Sequence, residues 1–165
     1  MSSVVVADAG PLHYLILVDC AETLPKLFDR VLIPSAVREE LSHHNTPAKV
    51  ADWMRVSKPW LTTESVIRGQ PIAGLHKGEE EAIHLALQTK IPNILMDDTD
   101  GRLAARRRGL TVFGTIGILE RAAELGLIDL AQAVGKLRQT NFFVSPELLN
   151  AALERDIERR KRQRE

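Results

Sequence analysis

The sequence predicts an α/β fold with a mainly parallel central sheet, and three observations carry that reading. Four short runs rich in apolar and β-branched residues, Val4-Val5-Val6, Val31-Leu32-Ile33, Ile94-Leu95-Met96 and Thr111-Val112-Phe113, alternate with segments of helical character. Each run leads directly into a helix-opening segment, the order expected of strand–helix–strand units. The chain has 165 residues, 44% hydrophobic and 27% charged, which is enough apolar material for one compact domain with a core.

Taken in order, Val4-Val5-Val6 ends at Asp8, and Gly10-Pro11 punctuates before the apolar stretch Leu12 to Val18, giving strand, turn and helix. Val31-Leu32-Ile33 runs into Pro34-Ser35, after which Ala36 to Leu41 opens a second helix. Thr46 to Trp53 reads as a further helix. Lys58 to Gly74, punctuated by Pro59, Gly69 and Pro71, reads as a loop-rich connection. A helix from Leu75 to Leu87 precedes the third run, Asp97-Asp98 follows that run, and Arg102 to Arg108 is helical. The fourth run leads into Thr115 to Leu125. Ser145-Pro146 opens a C-terminal helix with an N-cap followed by proline, and that helix ends in Arg159-Arg160-Lys161-Arg162-Gln163-Arg164. No linker divides the chain and no repeat occurs in it.

Composition excludes several classes. With 22 basic and 22 acidic residues the formal net charge is zero, so no global field draws the protein onto nucleic acid and local charge has to do so. Aromatics make up 4%, which argues against broad base-stacking sheets. The single cysteine, Cys20, cannot form an internal disulfide and fits a reducing cytoplasm. The longest apolar stretch is too short to span a bilayer, and Met1-Ser2-Ser3 lacks the basic start of a signal peptide. There is no glycine-rich phosphate loop and no Gly-x-Ser-x-Gly elbow.

The acids are the informative residues. In α/β folds ligands bind outside the carboxyl ends of the strands, and the acids gather there. Asp8 closes the first strand, where capping of the next helix is the bland alternative. In Val37-Arg38-Glu39-Glu40-Leu41, Glu40 lies three residues beyond the core-facing Val37 and close to its face, while Glu39 points toward solvent. In the 75–87 helix the apolar stripe runs through Leu75, Ala82, Ile83 and Ala86; at about 100° per residue Glu79 falls in its middle and Glu80 and Glu81 fall to either side. All three also favour the positive end of a helix, which accounts for Glu80 and Glu81 but not for the phase of Glu79. After the third run, strand alternation turns one of Asp97 and Asp98 inward, and Asp98 is favoured; Asp100 is a candidate cap for the helix of Arg102. Hard divalent cations take carboxylate and water oxygens, and such an ion can orient a phosphate and activate a water. The histidines at 43, 44, 76 and 84 show no ligand spacing and read as solvated or capping residues.

These residues resemble the PIN-domain family, and within it the VapC-type toxins. The resemblance rests on Asp8-Ala9-Gly10-Pro11-Leu12, Ile33-Pro34 with Val37 to Leu41, Gly78 to Ile83, Leu95 to Arg102, and Gly114 to Leu119, and it covers nearly the whole chain. It implies a Rossmann-like PIN nuclease domain over 1–150 with a charged helical tail over 151–165, and endoribonuclease activity dependent on Mg²⁺ or Mn²⁺. The family's acidic quartet falls on Asp8, Glu40, Glu79 and Asp98, with Asp97 as a further metal candidate. The third acid of many members is aspartate, whereas here it is Glu79. The resemblance further implies an RNA substrate, a small antitoxin partner and a PIN-domain dimer. Arg102 and Arg106 are candidates for RNA phosphate contacts. A catalytically inactive PIN-like binding module is the alternative, because fold alone does not establish activity. A phosphoryl acceptor at Asp8 is disfavoured by Ala9-Gly10 and by the lack of a lysine near Thr115.

Overall fold

The computed structural model describes residues 3–165; Met1 and Ser2, part of the start without basic residues, lie outside the described residues. Five parallel strands form one sheet in the order β3-β2-β1-β4-β5, with β1 at Val4–Ala7, β2 at Arg30–Pro34, β3 at Leu61–Glu64, β4 at Asn93–Leu95 and β5 at Thr111–Phe113. β1 is central, with Val5 opposite Val31 of β2 and Val6 opposite Ile94 of β4.

Strand alternation divides the core into two layers, one on each side of the sheet. Val5, Ala7, Val31, Ile33 and Leu95 face a layer that includes residues of α1 (Ala9–Leu17), α3 (Ser35–Leu41), α4 (Ala48–Arg55), α7 (Thr115–Glu124), α8 (Leu130–Arg138) and α9 (Pro146–Arg164). Val6, Leu32, Ile94 and Met96 face the other layer with α5 (Lys77–Thr89) and α6 (Thr99–Arg107). A short helix, α2 (Leu24–Leu27), follows a 3₁₀ turn and leads into β2. Among the described residues no helix is long and apolar enough to cross a membrane.

The four predicted strands are all present. The loop-rich connection at 58–74 needs correction, because it contains β3, paired in parallel register with β2 from Val31↔Leu61 to Pro34↔Glu64. Leu-Thr-Thr-Glu shows no apolar run because β3 is a sheet edge, where a partly exposed polar strand is tolerated. The C-terminal segment from Ser145 is one helix, capped as its sequence predicts: the Ser145 hydroxyl accepts from the Leu148 amide at 3.3 Å. Leu149, Ala152 and Asp156 of α9 are buried.

Candidate functional site

At the centre of the sheet the chain direction of assembly reverses: β2 and β3 extend one way from β1, and β4 and β5 the other. In a parallel sheet this switch point leaves a crevice beyond the carboxyl ends of the two central strands. Asp8 stands on one side of that crevice and Asp97-Asp98 on the other. The backbone joins the two sides, since the Asp8 amide donates to the Leu95 carbonyl at 2.9 Å.

Asp8 is 4% exposed, and its Oδ1 is buried without a hydrogen-bond partner. It occupies the N-cap position of α1, yet its side chain makes no capping bond, so capping does not account for an acid here. Burial is the main cause that raises its carboxyl from the ordinary 3.8 to about 7. The Ala9 amide and His76 oppose the rise, and the charges of Glu79 and Glu40 add to it. The first turn of α5 abuts this carboxylate closely, because a Cβ on Gly78 would lie 3.7 Å from Asp8 Oδ1.

Glu79 is 5% exposed, inward as its helical phase predicts. His76 organises it. Nε2 of His76 lies 2.8 Å from Glu79 Oε1, while the His76 backbone amide donates to Oε2 at 3.4 Å and Nδ1 accepts from the Glu79 amide at 3.4 Å. Together these bonds form a capping box at the start of α5. The capping alternative for His76 therefore holds. Burial raises the Glu79 carboxyl above its usual range; His76 lowers it, and Asp98 and Glu40 push it further up.

The two neighbouring glutamates have separate structural tasks. Glu80 Oε1 accepts from the Ile72 amide at 2.9 Å and fixes the connection before α5. Glu81 Oε1 accepts from the Ala36 amide at 3.3 Å, at the start of α3. Glu40 sits on the exposed side of α3 and reaches Asp8 and Glu79 through its charge.

The doubled aspartates need a correction. Alternation turns one of the pair inward and the resemblance favours Asp98, but Asp97 is the more buried of the two and Asp98 is exposed. The reason is that β4 ends at Leu95, and the chain turns into α6 before alternation reaches the pair. Asp98 becomes the N-cap, accepting from the Gly101 amide at 2.9 Å, a task expected of Asp100. Asp97 accepts from the Thr115 hydroxyl at 2.6 Å and from the Thr115 amide at 2.8 Å, which ties β4 to the start of α7. Thr115 is completely buried, and burial raises Asp97 despite those bonds. Gly114 leaves room beside it, since a Cβ there would lie 3.0 Å from Asp97 Oδ1 and 2.7 Å from Arg102 Nη1 and would crowd both. Arg102 is half-buried and donates to the Met96 carbonyl at 2.9 Å, whereas Arg106 is exposed.

The structure thus brings Asp8, Glu79, Glu40 and Asp98 into one electrostatic neighbourhood and holds Asp97 beside it. Among the described residues no three His, Cys, Asp or Glu side chains stand together closely enough to hold a metal ion by themselves. The donor chemistry is nevertheless that of a hard cation. Two buried carboxylates repel one another, one of them has an unpartnered oxygen, and Mg²⁺ commonly takes one or two carboxylates and completes its shell with water. Sequence reasoning missed His76 and Thr115 as organisers of the acids, because each acts on a carboxylate through a contact that only the fold creates. A cavity of about 820 Å³ lies between α2, α7 and α9, away from the acids at the switch point, and its own acids Glu120, Glu124 and Asp156 are ion-paired to arginines.

No curated protein matches the chain. Among solved structures, a PilT N-terminus domain protein from the hyperthermophilic archaeon Sulfolobus solfataricus P2 is similar over 86% of this chain and 99% of its own, at 11% identity and a TM-score of 0.48. The profile of a family described as PIN domain, DUF3368, matches residues 4–158. The chain belongs to this family of PIN domains, a class whose members are typically nucleases.

Proposed function

We propose that the protein is a metal-dependent endoribonuclease whose active centre is the carboxylate group at the sheet's switch point. One observation carries the reading: Asp8 Oδ1 is buried, unpartnered and without a capping bond beside the equally buried Glu79, an arrangement that costs stability. Asp8 and Glu79 would hold Mg²⁺ or Mn²⁺, with Glu40 and Asp98 at the rim acting through the ion's water shell. When bound, the ion supplies positive charge that offsets the carboxylates and stabilises charge growing on a scissile phosphodiester. His76 holds Glu79 in place through its ring and its backbone amide. Asp97, fixed by Thr115, sets the position of the chain from which Asp98 projects. Arg106, exposed on α6, is available to an RNA phosphate, while Arg102 is partly engaged by the Met96 carbonyl.

The resemblance to VapC-type toxins supports the finer reading of a cytoplasmic toxin blocked by a small antitoxin, with a second PIN domain as a dimer partner. A PIN-like binding module without catalysis is the second reading, favoured by the absence of a three-carboxylate cluster among the described residues. The test is cleavage of single-stranded RNA by the purified protein with Mg²⁺, with Mn²⁺ and with chelator. Metal-dependent cleavage that is abolished in Asp8→Asn and Glu79→Gln, with both variants still folded, is the expected result. Undiminished cleavage by Asp8→Asn would sink the mechanism, and absence of both cleavage and Mn²⁺ binding in the wild type would leave the binding module.

A further inference from the structure

A second cleft, of about 440 Å³, opens directly beside the carboxylates. It shares Ala9, Gly10 and Glu40 with the candidate site and continues along α1 past His13 and Tyr14 to Asn141 in the α8–α9 connection. No lysine or arginine lines it, and Glu40 is its only acid. A phosphate therefore finds no neutralising charge inside the cleft, whereas a flat uncharged group meets ring faces and amides.

Its walls are built for such a group. The ring of Tyr14 sits edge-on to His13 at 4.8 Å on one side and edge-on to Phe142 at 4.8 Å on the other. The Tyr14 hydroxyl donates to Asn141 Oδ1 at 3.0 Å, which fixes that amide and directs its Nδ2 hydrogens elsewhere. Two residues farther along, Phe143 is 97% exposed. An exposed ring this close in the chain to Asn141 is free to stack on a flat partner. The chain has only seven aromatic residues, and Tyr14 and Phe142 meet here. A low aromatic content excludes a broad stacking sheet, but it is compatible with one local stacking position.

We infer that this cleft is a nucleobase subsite: it takes the base of a nucleotide adjoining the scissile phosphodiester of single-stranded RNA, with His13 and Tyr14 as its wall, Phe143 as a stacking arm and Asn141 as an edge-reading amide. The inference rests on the nuclease reading above for the position of the scissile bond. Cleft volume agrees, since sites for small organic ligands begin at roughly 300 Å³. His13, Asn141 and Phe143 are positioning residues in this scheme, remote from the bond that breaks.

The test uses the full chain and a mixed-sequence, single-stranded RNA oligonucleotide containing all four bases, comparing wild type with His13→Ala, Asn141→Ala and Phe143→Ala. Stacking contributes enough per base that Phe143→Ala and His13→Ala are each expected to raise KM by about tenfold while kcat is retained, and to flatten the preference among cleavage sites. Asn141→Ala is expected to change site preference more than KM. Binding of the same oligonucleotide, measured by fluorescence anisotropy in the Asp8→Asn background, should weaken in parallel. Cleavage with unchanged KM and unchanged site preference in all three variants overturns the subsite and leaves the nuclease reading intact. If the wild type cleaves nothing but binds the RNA through His13 and Phe143, the subsite stands and the nuclease reading falls; no RNA binding at all overturns both and leaves the cleft to a protein partner.

Discussion

Replacing Asp8 by asparagine gives the most direct measurement of what the site costs the fold. The folded protein keeps this carboxyl protonated up to about pH 7, whereas an ordinary aspartate releases its proton near 3.8. Between those values the unfolded chain binds fewer protons than the folded one, so stability falls as pH rises through the window. Below the unfolded value there is no penalty, and above the folded value the penalty is complete. At 1.36 kcal/mol per unit the shift amounts to about 4 kcal/mol, a large share of a small domain's stability. The Glu79 carboxyl is raised too and contributes with the same sign. In urea unfolding at a series of pH values without divalent ions, the wild type should lose stability relative to Asp8→Asn from about pH 4 to about pH 7. The absolute offset includes the cost of burying an amide, about 1–3 kcal/mol, so the pH slope of the difference is the quantity to read. Adding Mn²⁺ above pH 7 should then stabilise the wild type, by about 2.7 kcal/mol at a hundredfold excess over its dissociation constant, and leave the variant unmoved. A difference between the two proteins that stays flat across the window, or equal stabilisation of both by the ion, would refute the reasoning.

Three further variants separate support from chemistry. Glu81→Ala removes the acceptor for the Ala36 amide and should cost about 0.5–2 kcal/mol in thermal or urea unfolding, with kcat on RNA retained. Thr115→Val deletes the hydroxyl that Asp97 accepts from within a buried site; a loss of about 1–3 kcal/mol is expected, and an unchanged melting temperature would show that Asp97 finds another donor. Gly114→Ala places a Cβ against Arg102 Nη1 and Asp97 Oδ1 and should cost about 1–3 kcal/mol. Combining it with Arg102→Ala should recover part of that loss in a double-mutant cycle, because one of the two crowding groups is then gone.

The parts of the architecture legible in the sequence are those where burial imposes a pattern. β1, β2 and β4 are read from apolar runs because these inner strands bury both faces, β5, the other edge, is read from Val112 and Phe113, which are half-buried, and Glu79 is identified by its phase against Ala82, Ile83 and Ala86. β3 escapes because an edge strand needs no apolar run: Leu61–Glu64 is polar and only partly buried. The expectation that Asp98 is the inward one of the pair fails for a different reason. Alternation holds only while the chain is a strand, and β4 ends at Leu95, so the acid nearer the strand turns inward and the next caps α6. The contacts that fix the site, His76 on Glu79 and Thr115 on Asp97, follow no spacing rule. His76 is distinguishable only as a residue able to cap, and Thr115 only as a threonine at the start of a helix.

Charge balance ties the proposed metal to substrate capture. Asp8, Glu79, Glu40 and Asp98 share one neighbourhood, the net charge of the chain is zero, and the adjoining cleft contains no cation. An RNA phosphate approaching these acids alone meets like charge, His76 is engaged by Glu79, and Arg102 is already partly committed to the Met96 carbonyl. Arg106 is exposed, where a single charge is strongly hydrated and screened at physiological salt. On the nuclease reading proposed above, a bound cation would supply the positive charge that a phosphate needs at the crevice, and the burial that raises Asp8 and Glu79 also makes their neutralisation by a cation favourable. Ion binding and RNA binding at this site should consequently be mutually reinforcing, while binding in the uncharged cleft should depend less on the ion. That difference follows from the placement of the acids at the switch point and the rings beside them.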